Sequence, residues 1–437
     1  MTANTAKIVK KMTVTTVVIL FFAWFIDYLD RSIVSIALPY IGKEFHLNKV
    51  EQGLILSVFS FSYAVVQIPS GFLTDRFGSK KVMTFALVSW SIFTALTGAA
   101  FNYLSLLIVR VFFGIFQGIF PAAAYKCITE RTSEKTRSTA NGFTMASNSV
   151  GIAFAPLIIA PAILFIGWHH VFYYVAGVGI IIAVLIWFLL PRPLTSQELL
   201  SADENDDSLH KNAAANKEST SSISTSDLFK SGVMWWLFFM FFGYDVIVTG
   251  LGSWVPSFLI TEKHIHLVNA GLLMSISPFV SIIATILGGL MFDRFHGRHR
   301  KIFIPSSILA MIFLISMISV KSAGMFILFL TLSSFFMTLC YMPILGLPMR
   351  FLPTEIVGVG SSIVNMGGKV AGILTPTIMG FLIQTISYQA GFAFLAFGAL
   401  LVAFSSFFIP QTQQSFQNLI LKRNYKEQKG LEAPPVK

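Results

Sequence analysis

The stretch FIDYLDRSIV, residues 25–34, puts Asp27, Asp30 and Arg31 inside an apolar run that extends from Val14 to Pro39. On a helix these three share one polar sector of about a hundred degrees. Each charge at mid-membrane costs about 2.5–3.5 kcal/mol on insertion scales, so they must face protein or water. Arg31 can neutralise one carboxylate. The surplus acid, desolvated and beside a like charge, is suited to taking up and releasing a proton.

Other polar residues lie at similar depth. Arg110 and Gln117 are seven apart, two turns on one face. Asp245 and Lys369 each fall near the middle of an apolar run, and Tyr63 and Gln67 share a face of another. Asn148 and Asn365 occupy corresponding places, each shortly before a Gly and then a Pro (Gly151 and Pro156; Gly372 and Pro376). These residues outline a water-filled cavity with cationic anchors, acids and neutral hydrogen bonders. Arg31, Arg110 and Lys369 need counter-ions there, and an anionic substrate would serve.

The elements that carry them are read from composition. Of 437 residues, 55% are hydrophobic and only 12% charged, which excludes an ordinary soluble domain and predicts a bilayer protein. Runs long enough to cross the hydrocarbon number twelve: 14–38, 52–73, 82–100, 102–125, 138–164, 168–190, 232–260, 268–291, 302–320, 323–349, 357–384 and 388–409. The first is read as an uncleaved helix, because no small-residue cleavage site precedes Pro39. With both termini cytoplasmic, only Lys43, Lys49, Lys263 and Lys321 fall in outer loops, so the net charge of +11 is mostly positive-inside bias and implies no nucleic-acid partner. Cys127 and Cys340 suggest neither a disulfide nor a metal site. The outer loop EKHIH (262–266) offers two histidines and one acid, too weak a set to be read as a metal grip.

A hydrophilic interruption from 191 to 231 separates an N-terminal six-helix bundle (1–190) from a C-terminal one (232–410), with a cytoplasmic tail over 411–437. Its composition predicts a flexible cytoplasmic linker with an amphipathic patch near Leu228. The halves repeat. GFLTDRFGSKK (71–81) and GGLMFDRFHGRHRK (288–301) align Gly71, Asp75 and Arg76 with Gly289, Asp293 and Arg294 at a constant offset of 218. At the cytoplasmic rim, Asp75 and Asp293 can hold a neighbouring helix end, so these loops are assigned to gating. Six-span repeats are a known transporter plan. No phosphate loop, nucleophile elbow or H-E-x-x-H pair occurs, so neither an ATP-driven pump nor an enzyme is expected, and no cofactor.

The loop GFLTDRFGSKK and its second copy resemble the signature of the major facilitator superfamily. DYLDRS, SYAVVQIPSGFLTDRFG, RVFFGIFQGIFPAA and LPTEIVGVGSSIVNMGG resemble, more narrowly, its anion:cation symporters. That resemblance implies an all-α membrane fold of twelve transmembrane helices in two six-helix repeats. It implies proton-coupled uptake of a small organic anion, such as a sugar acid, by alternating access across a bacterial inner membrane, with a monomer as the working unit. It assigns proton coupling to Asp30, substrate contact to Arg31, Tyr63 and Arg110, and site-lining amides to Asn148 and Asn365. Three departures stand out. Gln117 replaces the family's usual Glu, Asp27 stands where Asn is common, and Asp245 and Lys369 are unexpected charges. Asp245 or Asp27 is therefore expected to supply the missing titratable carboxyl, with Gln117 and Lys369 at the substrate; alternatively Asp245 and Lys369 form a structural bridge. An exporter or exchanger of a carboxylate or drug is the second reading, and a non-transporting sensor the third.

Overall fold

The computed structural model describes residues 3–195, 198, 223–295, 298–353 and 356–420. Those residues form helices, with no strand among them. In order they are α1 (Ala3–Glu44), α2 (Lys49–Phe77), α3 (Ser79–Gly98), α4 (Tyr103–Arg131), α5 (Glu134–Leu189), α6 (Thr225–Lys230), α7 (Gly232–Thr261), α8 (Leu267–Arg294), α9 (Arg300–Ser319), α10 (Ala323–Thr338), α11 (Tyr341–Phe351), α12 (Val357–Thr385) and α13 (Tyr388–Phe408). Eleven stretches among the described residues are long and apolar enough to cross a membrane. One of them, α5, is two spans in series: Gly167 at φ 78 breaks it into limbs 134–166 and 168–189, which makes the expected twelve. The expected span 323–349 is also interrupted, because the chain turns at Leu339 and Cys340 between α10 and α11.

Local sequence sets the boundaries. Asn102 and Ser105 form a reciprocal capping box that starts α4. Between α2 and α3 a single residue, Gly78 at φ 86, makes the turn inside GFLTDRFGSKK; a side chain there would be strained.

Contacts divide the chain into two compact units. The first comprises Met1–Asn48, Leu54–Thr220 and His264–Ser275, and the second Lys49–Gly53, Ser221–Lys263 and Ile276–Lys437. In the first, α5 packs on α1 and α3, and α3 on α4. In the second, α7 packs on α12 and α13, and α9 on α10 and α13. Phenylalanines such as Phe72, Phe165 and Phe188 stay exposed on the outer faces, as lipid-facing helices require.

The ends of the hydrophilic segment are ordered. Arg131 Nε donates to the Pro191 carbonyl (2.8 Å) and the Leu194 amide to the Glu130 carbonyl (2.8 Å), which clasp the chain leaving α5 to the end of α4. Arg192 grips the Glu198 carboxylate with both terminal nitrogens and holds it at a pKa of about 2. Further on, α6 opens on a Ser224–Asp227 capping box and buries Leu228, so the amphipathic patch is a short helix. The DENDD run (203–207) and the basic tail (421–430) lie outside the described residues, as do Thr354, Glu355, His296 and Gly297.

Candidate functional site

In the first unit, α1 presents its charges on diverging faces. Asp27 is wholly buried and its Oδ2 pairs with Arg31 Nη2 at 2.8 Å, one turn along the same helix. Arg31 Nε donates to Gln117 Oε1 (3.0 Å), and Gln117 Nε2 donates back to the Asp27 carbonyl (3.3 Å). The guanidinium lies over the rings of Tyr63 (4.5 Å) and Tyr28 (4.8 Å). Arg31 keeps 18% of its side-chain surface exposed, so a charged, paired group still meets solvent. Close helix packing makes this possible: a Cβ on Gly118 would stand 2.7 Å from the Tyr63 carbonyl, so any larger residue would push α4 away from α2.

Asp30 belongs to a different cluster. Its Oδ2 accepts from Thr94 Oγ1 on α3, and Arg110 on α4 acts on it electrostatically. Arg110, 2% exposed, donates to Thr97 Oγ1 (3.0 Å) and lies over Phe113 (4.4 Å) and Phe172 (5.7 Å). The single polar sector expected from the sequence is thus split. Arg31, at one edge, turns to α4 and Gln117; Asp30, at the other, turns to α3. Arg110 is sequestered with Asp30, not beside Arg31.

Asn148 on α5 is half-buried and donates weakly to the Met145 sulfur (3.6 Å). In the second unit, Asp245 on α7 accepts from Thr249 Oγ1 (3.0 Å), one turn away, and feels the charge of Lys369 on α12. A Cβ on Gly368 would come within 2.6 Å of the Phe241 ring and 3.6 Å of the Asp245 carboxyl carbon, so glycine sets the α7–α12 approach that brings the two charges together. Tyr244, beside Asp245, stacks on Tyr341 at 5.3 Å, where the chain restarts after the α10–α11 break. Asn365 is exposed and donates to the Ser361 carbonyl of its own helix (3.0 Å).

At the loop residues the two copies differ. Asp75 pairs with Lys126 Nζ of α4 (2.7 Å), which also reaches the Thr74 carbonyl (3.4 Å) and ties the end of α2 to α4. Gly71 has open space around it and Arg76 is exposed. Asp293 and Arg294 are exposed, and Asp293 makes no ion pair among the described residues. Sequence reasoning missed Lys126 and the buried Arg131, which holds Glu130 (2.7 Å), Ser79 (3.2 Å) and Pro191. Both follow the apolar run 102–125, where basic residues read as flanking charge; the adjacent Glu130 was the available signal. In the outer loop, Lys263 of EKHIH donates to the Val320 and Lys321 carbonyls.

This architecture and these charges can be set beside known proteins. The chain is 30% identical over 288 residues to a probable L-galactonate transporter of Escherichia coli, covering 65% of this chain and 62% of that one. It is 27% identical to a probable sulfoacetate transporter of Cupriavidus necator (86% and 90% covered) and 28% identical to a hexuronate transporter of Bacillus subtilis (88% and 91%). Its fold resembles a bacterial homolog to the human lysosomal transporter Spinster, with TM-score 0.73 and 16% identity over 94% of this chain and 98% of that one. It also resembles a D-xylose-proton symporter, with TM-score 0.72 and 15% identity over 91% and 98%. The family model of the Major Facilitator Superfamily matches residues 20–376 and 264–424, and the chain is a member of that superfamily.

Proposed function

We propose that this multi-pass membrane protein is a secondary transporter that takes up a small organic anion, a sugar acid or related carboxylate, together with protons. The observation that carries the reading is Arg31, a guanidinium held by Asp27, Gln117 and two tyrosines and still partly open to solvent. A cation so placed in low dielectric binds a carboxylate strongly when its own counter-ion is removed. Asp27 is that counter-ion. Protonation of Asp27 frees Arg31 for the substrate; the substrate's departure and loss of the proton restore the pair. A probable L-galactonate transporter, a probable sulfoacetate transporter and a hexuronate transporter among the protein's relatives support the choice of cargo.

Within this reading Tyr63, Gln117 and Asn148 line the substrate position of the first unit, and Lys369 and Asn365 that of the second. Asp27, Asp30 and Asp245 are the titrating groups. Asp27 takes precedence over Asp245 as the relocated acid, because it touches the arginine that Gln117 also touches. Arg110 balances Asp30. Gly71, Asp75, Arg76, Asp293 and Arg294 serve gating, with Asp75 acting through Lys126. The protein is placed in a bacterial inner membrane as a monomer with cytoplasmic termini, the two bundles joined by the 191–231 linker.

The test is thermal stabilisation of the purified protein with sugar acids, dicarboxylates, amino acids, sugar phosphates and cationic drugs at about pH 5.5 and about pH 7.5. Stabilisation by carboxylates, larger at the lower pH, is expected. Stabilisation by cations alone would overturn the reading and make Asp27 and Asp245 the substrate's counter-charges. A second reading, obligate exchange of one carboxylate for another, is favoured by Gln117, which contacts Arg31 but cannot titrate. Counterflow of labelled substrate without any response to a proton gradient would select it.

A further inference from the structure

One turn before Asp27, α1 carries Trp24 into a polar cluster that meets the Arg31 network at Tyr28. Trp24 is 3% exposed, and its ring packs against Phe120 (5.1 Å), Tyr125 (6.1 Å) and Tyr28 (6.2 Å). The Tyr125 hydroxyl donates to the Met145 sulfur at 3.6 Å, and Asn148 Nδ2 donates to the same sulfur at 3.6 Å. A thioether is a weak acceptor, so two good donors converge on a poor partner. Among the described residues nothing accepts from Trp24 Nε1, and nothing donates to Asn148 Oδ1, although both atoms are buried. A buried N–H and a buried amide oxygen left unmade are costly where no water competes, so such groups are expected to find partners in some state of the protein.

The cluster carries no formal charge. It offers an indole N–H, a phenol and an amide, which together donate and accept. Hydroxyl groups do both at one atom and are the natural complement. Tyr125 is 46% exposed and gives the cluster an open side. Along α1, Trp24 and Arg31 are seven residues apart, two turns on one face and roughly 10 Å along the axis.

We propose that Trp24, Tyr125 and Asn148 form a hydroxyl-recognising subsite two turns from Arg31, which selects polyhydroxylated carboxylates over carboxylates of the same chain length without hydroxyls. The inference rests on the organic-anion reading and assigns specificity within it. Trp24 is the discriminating residue: of the cluster's three donors its N–H is the one that is buried with no acceptor among the described residues.

The experiment measures binding of two matched pairs, galactarate against adipate and galactonate against hexanoate, to the full-length purified protein and to Trp24→Phe and Tyr125→Phe. Trp24→Phe keeps an aromatic ring and removes the N–H. Tyr125→Phe removes one hydroxyl at a half-exposed position and so keeps a second, safely folding variant in the test. Each variant is expected to bind the hydroxylated member of a pair roughly three- to tenfold more weakly, with the unhydroxylated member unchanged. Unchanged binding of the hydroxylated acids by both variants, while the parent binds them, would overturn the subsite and leave the anion reading standing. An equal loss for both members of a pair would also overturn it, by showing a packing role. Failure of the unsubstituted protein to bind any of the four carboxylates would overturn the anion reading and the subsite with it.

Discussion

The two units each hold an acid and a base at membrane depth, and they build the pair in different ways. In the first, Asp27 and Arg31 are i,i+4 on α1, so helix geometry alone keeps them in register. In the second, Asp245 and Lys369 belong to α7 and α12, and only the close approach of those helices at Gly368 brings them together. An intrahelical pair survives any rigid movement of its helix and is opened only by a competing ligand or a proton. An interhelical pair also responds to a shift of one helix against the other. The first is therefore suited to chemistry at the substrate, and the second to coupling that chemistry to helix position.

The largest effect is expected at Arg31. Arg31→Gln removes both the charge and the planar fork that serves Asp27 and Gln117 together, and truncating one partner of a buried charge pair costs about 2–5 kcal/mol. Uptake of the identified substrate should fall by thirtyfold or more; near-normal uptake would mean that Arg31 only balances Asp27. Next comes Asp27→Asn. Concentrative uptake driven by an acid exterior should be lost while counterflow of labelled substrate persists. Retention of gradient-driven uptake would move the coupling role to Asp30 or Asp245.

The interhelical pair gives an intermediate effect of a different kind. Asp245→Asn and Lys369→Gln should each lower thermal stability, and the double substitution should recover part of the loss, with a coupling of about 0.5–3 kcal/mol. Additive losses would show that the two charges do not depend on each other. The smallest effect is expected at the rim. Lys126→Gln breaks an exposed pair worth about 0–1 kcal/mol, so the melting temperature should barely move. Transport rate is the informative readout there, since an unaltered rate would remove Asp75 and Lys126 from gating.

Much of the fold was legible in the sequence, because a bilayer leaves few options: a backbone in hydrocarbon must satisfy its hydrogen bonds internally, so long apolar runs read directly as helices. The break at Gly167 was visible as a gap between two runs. The interruption at Leu339 and Cys340 was not, since an unbroken apolar sequence hides a turn buried in protein. The candidate site was legible as an inventory. Asp27, Asp30 and Arg31 announce themselves by cost, whereas Trp24 and Tyr125 sit among apolar and aromatic neighbours and look like packing. Arg131 also drew no notice in the sequence, since its burial depends on Ser79 and Pro191 from elsewhere in the chain.

By itself, then, the sequence determined how many helices cross the membrane, that the chain repeats at an offset of 218, and which charges stand at depth. Those are properties of local composition and of periodicity along one chain. The partner of each charge was decided only by tertiary structure. Asp30 is near Arg31 in sequence yet turns to Thr94 and Arg110, and Gln117 reaches Arg31 from 86 positions away. A side chain's partner is set by which helix faces it across a close contact, and glycines such as Gly118 and Gly368 fix those contacts without leaving any charge or polarity in the sequence to mark them.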